Sequence, residues 1–282
     1  LKKLTQSIHK TESLIFAQLF HGGMRCPEKI TGSTPISASI LECKESETGF
    51  SKEASIQDIN KIIDDFTSAA IRCVDSGFDG IELHGAHGYL ISQFLGSKTN
   101  LREDEWGGKL KDRSKLLVKI CDNIKSNVPE SFIIGVRISP EIDSLGIHLN
   151  DTIKLVGILN NIELDFIHIS CWDAFACSKQ YPDDNRTLTQ IITDSYSNLP
   201  TIISTGNVWS SQDANNVLNQ GADLVGVGRV GIAHPNWGKN ITDLNYNPTP
   251  PPYTSDYLKN VKLSDKFINY MRNWNGFVVD NK

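Results

Sequence analysis

The chain has no excess of basic residues: 28 Lys and Arg stand against 33 Asp and Glu, for a net charge of −5. A basic face able to neutralise a phosphate backbone is not expected, so nucleic acid is set aside as a partner. No apolar run is long enough to span a bilayer, and Leu1-Lys2-Lys3-Leu4 lacks the apolar core of a secretory signal. No membrane partner is expected. The six cysteines (Cys26, Cys43, Cys73, Cys121, Cys171 and Cys177) are scattered, and none forms a Cys-x-x-Cys pair. This argues against structural zinc or an iron–sulfur cluster and fits reduced thiols in a cytoplasmic protein. No Gly-x-Gly-x-x-Gly follows the first apolar strand, which weakens a Rossmann reading.

What is present is an ordinary globular composition, 39% hydrophobic over 282 residues, enough for one large core. β-rich runs alternate with segments of helical period. Strands are predicted at 14–20, 81–83, 132–137, 166–169, 201–204 and 224–227. Helices are predicted at 59–74, 113–128, 152–161, 188–196 and 212–219. Ser55 with Asp58 resembles a capping box with Asp in place of Glu. Residues 1–9 open the chain in a helix-like segment, and a polar, glycine-rich loop extends to about Ala54. Strands each followed by a helix predict a parallel sheet covered by helices, an α/β fold. Six strands are countable, whereas a closed (β/α)8 barrel needs eight. An open doubly wound sheet and a barrel lacking its first two strands therefore compete.

The most informative stretch is Gly80-Ile81-Glu82-Leu83-His84-Gly85-Ala86-His87-Gly88-Tyr89. In parallel α/β proteins the C-terminal ends of strands face the ligand. His84, His87 and Tyr89 there offer two ring donors and a phenolic proton to one polar atom, an arrangement suited to polarising and protonating a substrate. A metal is not expected, since three-residue spacing suits a helix better than a strand end and no third ligand is nearby. Two glycine turns, Ser204-Thr205-Gly206-Asn207 and Gly226-Val227-Gly228-Arg229, end the last two strands. Glycine lets backbone N–H groups approach an anion, and barrels often bind phosphate after strands seven and eight. If two strands are missing at the front, these turns fall at those positions. Arg137 ends its strand, where it could pair with a carboxylate or stabilise negative charge on a cofactor. Glu105 and Arg113 are expected to form a loop-fixing ion pair.

Together these residues resemble the old yellow enzyme family of FMN-dependent ene-reductases and NAD(P)H:flavin oxidoreductases. Ala17-Gln18-Leu19-Phe20-His21-Gly22-Gly23 is similar to the family's third-strand segment, and residues 77–90 to its fourth-strand motif. Gln93-Phe94-Leu95, Thr99-Asn100, Arg102, Asp104-Glu105-Trp106-Gly107-Gly108 and Arg113 continue that signature, with Trp106 where Tyr is usual. Residues 221–229 resemble the final-strand motif. The resemblance covers roughly residues 1–237 and implies an FMN-binding (β/α)8 TIM barrel, here with its first two βα units absent. It implies that Gln18 hydrogen-bonds the flavin's pyrimidine edge and that Arg137 sits where reduction places negative charge. It also implies that Gly206, Asn207, Gly228 and Arg229 hold the phosphate, that His84 and His87 bind the substrate oxygen, and that Tyr89 delivers the proton. NADH or NADPH would be the reductant, an enone or nitro-alkene the small-molecule acceptor, and a homo-oligomer the common assembly.

Two other classes stay open. One is a different phosphate-binding barrel enzyme, such as an aldolase, which would want a strand-end lysine that the sequence does not show. The other is a non-catalytic, truncated or degenerate barrel fragment. The expected organisation is a barrel domain over 1–245, a Pro-rich linker over 246–256 and a tail over 257–282. The tail aromatics Phe267, Tyr270 and Trp274 are expected to cover a hydrophobic face or a subunit contact.

Overall fold

The computed structural model describes residues 1–279. Six strands form one parallel sheet: β1 (Phe16–Leu19), β2 (Gly80–Gly85), β3 (Ile133–Ile138), β4 (Phe166–Ser170), β5 (Thr201–Thr205) and β6 (Leu224–Gly226). Their spatial order is their chain order, and every pairing is parallel. The sheet curls into a half-barrel in which β1 and β6 are the edge strands. All six predicted strands are present, with ends shifted by a residue or two.

The strands alternate by face. In β2, Ile81 and Leu83 are wholly buried beneath the helices, as are Val136, Ile167 and Ile169 of the next strands. Glu82 and His84 lie on the other, concave face. An aspartate precedes three of the strands, and its carboxylate accepts a backbone N–H from the neighbouring chain segment. Asp79 takes Ile15 at 2.7 Å, Asp165 takes Ile134 at 2.7 Å, and Asp223 takes Ile202 at 2.8 Å. Each such bond fixes the register between adjacent strands.

The helices are α1 (Lys2–Ile8), α2 (Ile56–Asp75), α3 (Leu90–Leu95), α4 (Lys115–Lys125), α5 (Leu149–Asn160), α6 (Leu188–Asp194), α7 (Ser211–Leu218), α8 (Arg229–Ala233), α9 (Ser255–Asn260) and α10 (Asp265–Met271), besides single turns. Helix α2 starts as its sequence predicts. The Ser55 hydroxyl accepts from Asp58 N–H at 3.1 Å, and the Asp58 carboxylate accepts from Ser55 N–H at 2.9 Å. Its apolar stripe of Ile59, Ile62, Phe66, Ala70 and Cys73 is buried in the main core with Leu116, Leu117, Ile120 and Ile124 of α4.

The loop from β1 to α2 is more ordered than its composition suggests. It holds a two-residue strand pair, Ile36–Ser37 with Lys52–Glu53. Arg102, buried, donates to the carbonyls of Ala38 and Ala54 and pairs with Asp104. The expected Glu105–Arg113 pair is not formed. Arg113 is buried and donates to the carbonyls of Leu95 and Gly108 and to Asp151 of α5 at 2.7 Å, while Glu105 points to solvent and meets Lys115. Burial separates the two. A guanidinium taken out of water needs several fixed acceptors, which an exposed glutamate does not supply.

Residues 253–279 build a second small core. Tyr253–Thr254 pairs in parallel with Val278–Val279. Tyr253, Leu258, Ile268, Met271 and Phe277 bury together against Ala233 of α8. The Tyr257 hydroxyl donates to the Ala233 carbonyl at 3.0 Å. The tail therefore sits directly on the helix that follows β6.

Candidate active site

Register alone brings three chemical groups side by side. His84 of β2 is paired with Arg137 of β3, and Arg137 with His168 of β4. Two residues further along β4, Ser170 completes the group: its hydroxyl lies 2.7 Å from His87 Nε2 and accepts from Arg137 Nη2 at 3.0 Å.

The loop after β2 holds the histidines in place. His87 has φ +61° and Gly88 φ +76°, two successive left-handed residues. The turn brings the His87 ring edge-on to His84 at 4.9 Å and puts Tyr89 5.0 Å from His84. Buried Gln93 of α3 locks the loop, donating to the Gly88 carbonyl at 2.8 Å and accepting from Met24 N–H at 3.1 Å. Arg25 stands 4.9 Å over the Tyr89 ring and donates to the His87 carbonyl at 2.7 Å. Phe20 packs on Tyr89 at 5.5 Å.

Both histidines are electrically neutral near pH 7. Burial, then the Arg137 cation, pulls His84 down to about 4, and desolvation of the ring and the same cation bring His87, a more exposed residue than His84, to about 4. The tautomer of His84 follows from its neighbour. Its Nδ1 accepts from Ala86 N–H at 3.2 Å, so the single proton of the neutral ring resides on Nε2. His84 is thus a fixed N–H donor carrying no charge.

Glu82, on the same face as His84, ties the inner strands together. Its carboxylate bonds His168 Nδ1 at 2.6 Å and accepts from the Gln18 amide. Burial works to raise the Glu82 carboxyl, but the His168 contact, Gln18 and Arg137 outweigh it, leaving it below the ordinary glutamate value. Two buried nitrogens in this network, Arg137 Nε and His168 Nε2, have no hydrogen-bond partner among the described residues.

Beside this cluster lies a cavity of about 230 Å³. Its walls bring His87, Arg137 and Ser170 together with Gly206, Asn207, Gly228 and Arg229. The described lining holds two arginines and no carboxylate, a charge balance that suits an anion. Gly206 adopts φ +148°, and a Cβ there would lie 2.6 Å from the Cys171 carbonyl oxygen, so no other residue fits. At Gly228 a Cβ would meet nothing within 4 Å, which leaves its backbone open to a ligand. Asn207 (φ +54°) accepts from Arg229 at 3.4 Å and from the Trp209 indole at 3.1 Å, linking the two turns.

Of the nine sequence-predicted site residues, eight are therefore gathered at the C-terminal rim of the sheet. Gln18 lies apart from the cavity, exposed on the inner face of β1 and engaged with Glu82. Sequence reasoning passed over Glu82, His168 and Ser170. The signal was available: in a strand, positions two apart share a face, so Glu82 goes with His84, and His168 with Ser170.

A parallel α/β sheet with an arginine-lined cavity, carboxylate-free among its described lining residues, beside a neutral histidine pair defines a site suited to hold an anionic group next to a polar one. Comparison with known proteins gives the family. Residues 1–246 match the NADH:flavin oxidoreductase / NADH oxidase family, and the chain belongs to it. It is 33% identical over 248 residues to the probable NADH-dependent flavin oxidoreductase YqiG of Bacillus subtilis (strain 168), covering 86% of this chain and 66% of that protein. It is 34% identical over 247 residues to the NADH:acrylate oxidoreductase of Vibrio harveyi, covering 84% of this chain but 24% of that one. The chain thus spans less than two thirds of either relative. The fold is shared with the old yellow enzyme homologue from Zymomonas mobilis, at TM-score 0.76 and 23% identity over 92% of this chain and 77% of that one.

Proposed function

We propose that this chain forms the cofactor- and substrate-binding part of an FMN-dependent NAD(P)H oxidoreductase that reduces activated alkenes such as enones and nitro-alkenes. The reading rests on one observation: a neutral histidine pair and an arginine-lined anion cavity share a rim, with Arg137 common to both.

The residues present fit the group. The unpartnered Nε of Arg137 needs an acceptor, and the open backbone at Gly228 admits a phosphate. Gly206, Asn207, Gly228 and Arg229 would hold the phosphate, Gln18 the pyrimidine edge, and Arg137 the side of the ring that becomes electron-rich on reduction. When bound, FMN would take hydride from NADH or NADPH and supply it to the alkene.

The chain's own groups do the rest. His84 Nε2–H and His87 face the carbonyl or nitro oxygen. Charge grows on that oxygen as the β-carbon accepts hydride, so the donors bind the transition state more tightly than the ground state. One such donor contributes on the order of 3 kcal/mol. Neutral donors serve best here, because an imidazolium would stand beside the Arg137 cation. The Tyr89 phenol supplies the proton to the α-carbon.

Small molecules are the partners in this reading. The six free thiols support placing it in the reducing cytoplasm. No helix among the described residues is long and apolar enough to cross a membrane.

The test is direct. The purified chain should retain flavin absorbance through gel filtration. Tyr89→Phe should keep NAD(P)H-driven bleaching of the flavin while cyclohexenone turnover falls by about 100-fold or more. Loss of both half-reactions, or of neither, removes Tyr89 from the proton step. A colourless chain that takes up no added FMN defeats the whole reading.

A further inference from the structure

Residues 253–279 lie beyond the family match, yet one of their side chains reaches the candidate site. Trp274, which follows α10, lines the same cavity as Arg137, Asn207 and Arg229. The position is held from two sides. Trp274 packs against the second core and meets Tyr270 ring to ring at 4.9 Å. That core rests on Ala233 of α8, the helix opened by the Gly228–Arg229 turn.

Trp209 joins the two parts. It packs against both the main core and the tail core. Its ring lies 5.8 Å from the Arg229 guanidinium, and its indole N–H donates to Asn207. Its carbonyl accepts from the Trp237 indole at 2.7 Å. Trp209, which contacts Asn207 and Arg229 of the two turns, is therefore also a residue the tail packs on.

We propose that Trp274 is a cofactor-positioning residue, a wall of the FMN cavity contributed by the C-terminal tail, so that flavin binding and tail docking stabilise each other. The inference builds on the FMN reading above. Its physical basis is reciprocity. A ligand that touches Trp274 only when the tail is docked favours the docked state, and a docked tail favours the ligand by the same factor. An indole also suits a flat, aromatic partner whose rings can lie against it.

The experiment uses the full chain and FMN itself. Affinity is read by quenching of flavin fluorescence, and tail docking by amide hydrogen exchange in peptides spanning 253–277, with and without FMN. FMN should slow exchange in those peptides. Trp274→Ala should weaken FMN binding by about tenfold, the order expected for one lost ring contact. Trp274→Phe should restore most of it. The flavin-free melting temperature of Trp274→Phe should match the parent's, which separates a cavity role from a purely structural one. Equal FMN affinity in parent and Trp274→Ala, or tail exchange indifferent to FMN, overturns the inference while leaving the FMN reading intact. A parent chain that takes up no FMN refutes both.

Discussion

Acidification should unfold this protein through His84 before its carboxylates titrate. His84 is only 6% exposed, and burial together with Arg137 holds it near 4, against 6.5 for a free imidazole. In the unfolded chain it takes a proton as pH drops through 6.5; in the folded chain it stays neutral to about 4. Between those values the unfolded state binds more protons, so stability falls as pH falls. The full difference is about 3 kcal/mol below pH 4, and about 2 kcal/mol of it is already lost at pH 5. The comparison partner is His84→Asn, whose amide oxygen still accepts from Ala86 N–H but does not titrate. Urea unfolding of both proteins at pH 7.5 and pH 5.0 gives four free energies. The parent should lose about 2 kcal/mol more than the variant between the two. His21 is common to both proteins, and His87, which His84 holds down only when His84 is charged, differs little between them while His84 stays neutral. Equal losses would mean that His84 is protonated within the fold, and the neutral-donor role would fall with it.

Two further outcomes are expected. Arg113→Met should destabilise the chain by about 3 kcal/mol or more in thermal or urea unfolding, because it strips the carbonyls of Leu95 and Gly108 and the Asp151 carboxylate of their shared donor; Glu105→Gln should change stability by less than about 0.5 kcal/mol. Ser55→Ala should cost about 1 kcal/mol by the same measurement, while Ser55→Thr, which keeps the hydroxyl that accepts from Asp58 N–H and donates to its carboxylate, should recover most of it.

Much of this architecture is legible in the letters, for physical reasons. The strands are readable because Ile81, Leu83, Val136, Ile167 and Ile169 must hide beneath helices, and helix α2 because Ser55 and Asp58 satisfy its first amides. The rim is readable because His84, His87 and the glycine turns follow strand ends, where a parallel sheet collects its ligand groups. Three things escape this kind of reading. The partner of Arg113 lies 38 residues away on another helix, and local charge pairing points to the wrong carboxylate. Ser170 carries no chemical signature until the fold sets it between Arg137 and His87. The spacing of Phe267, Tyr270 and Trp274 announces an apolar face, but only packing on α8 decides that Trp274 meets the cavity.

The left-handed backbone at His87 has a consequence for the history of this position. A side chain there must tolerate a φ near +60°, and histidine, asparagine and aspartate are the non-glycine residues that do so most readily. Aspartate would bring an acceptor where a donor is wanted, and glycine brings nothing. Mutational drift at this codon is thereby channelled toward asparagine, whose amide N–H can take over the imidazole's task. The loop's geometry, rather than the chemistry alone, sets which substitutions descendants of this protein can survive.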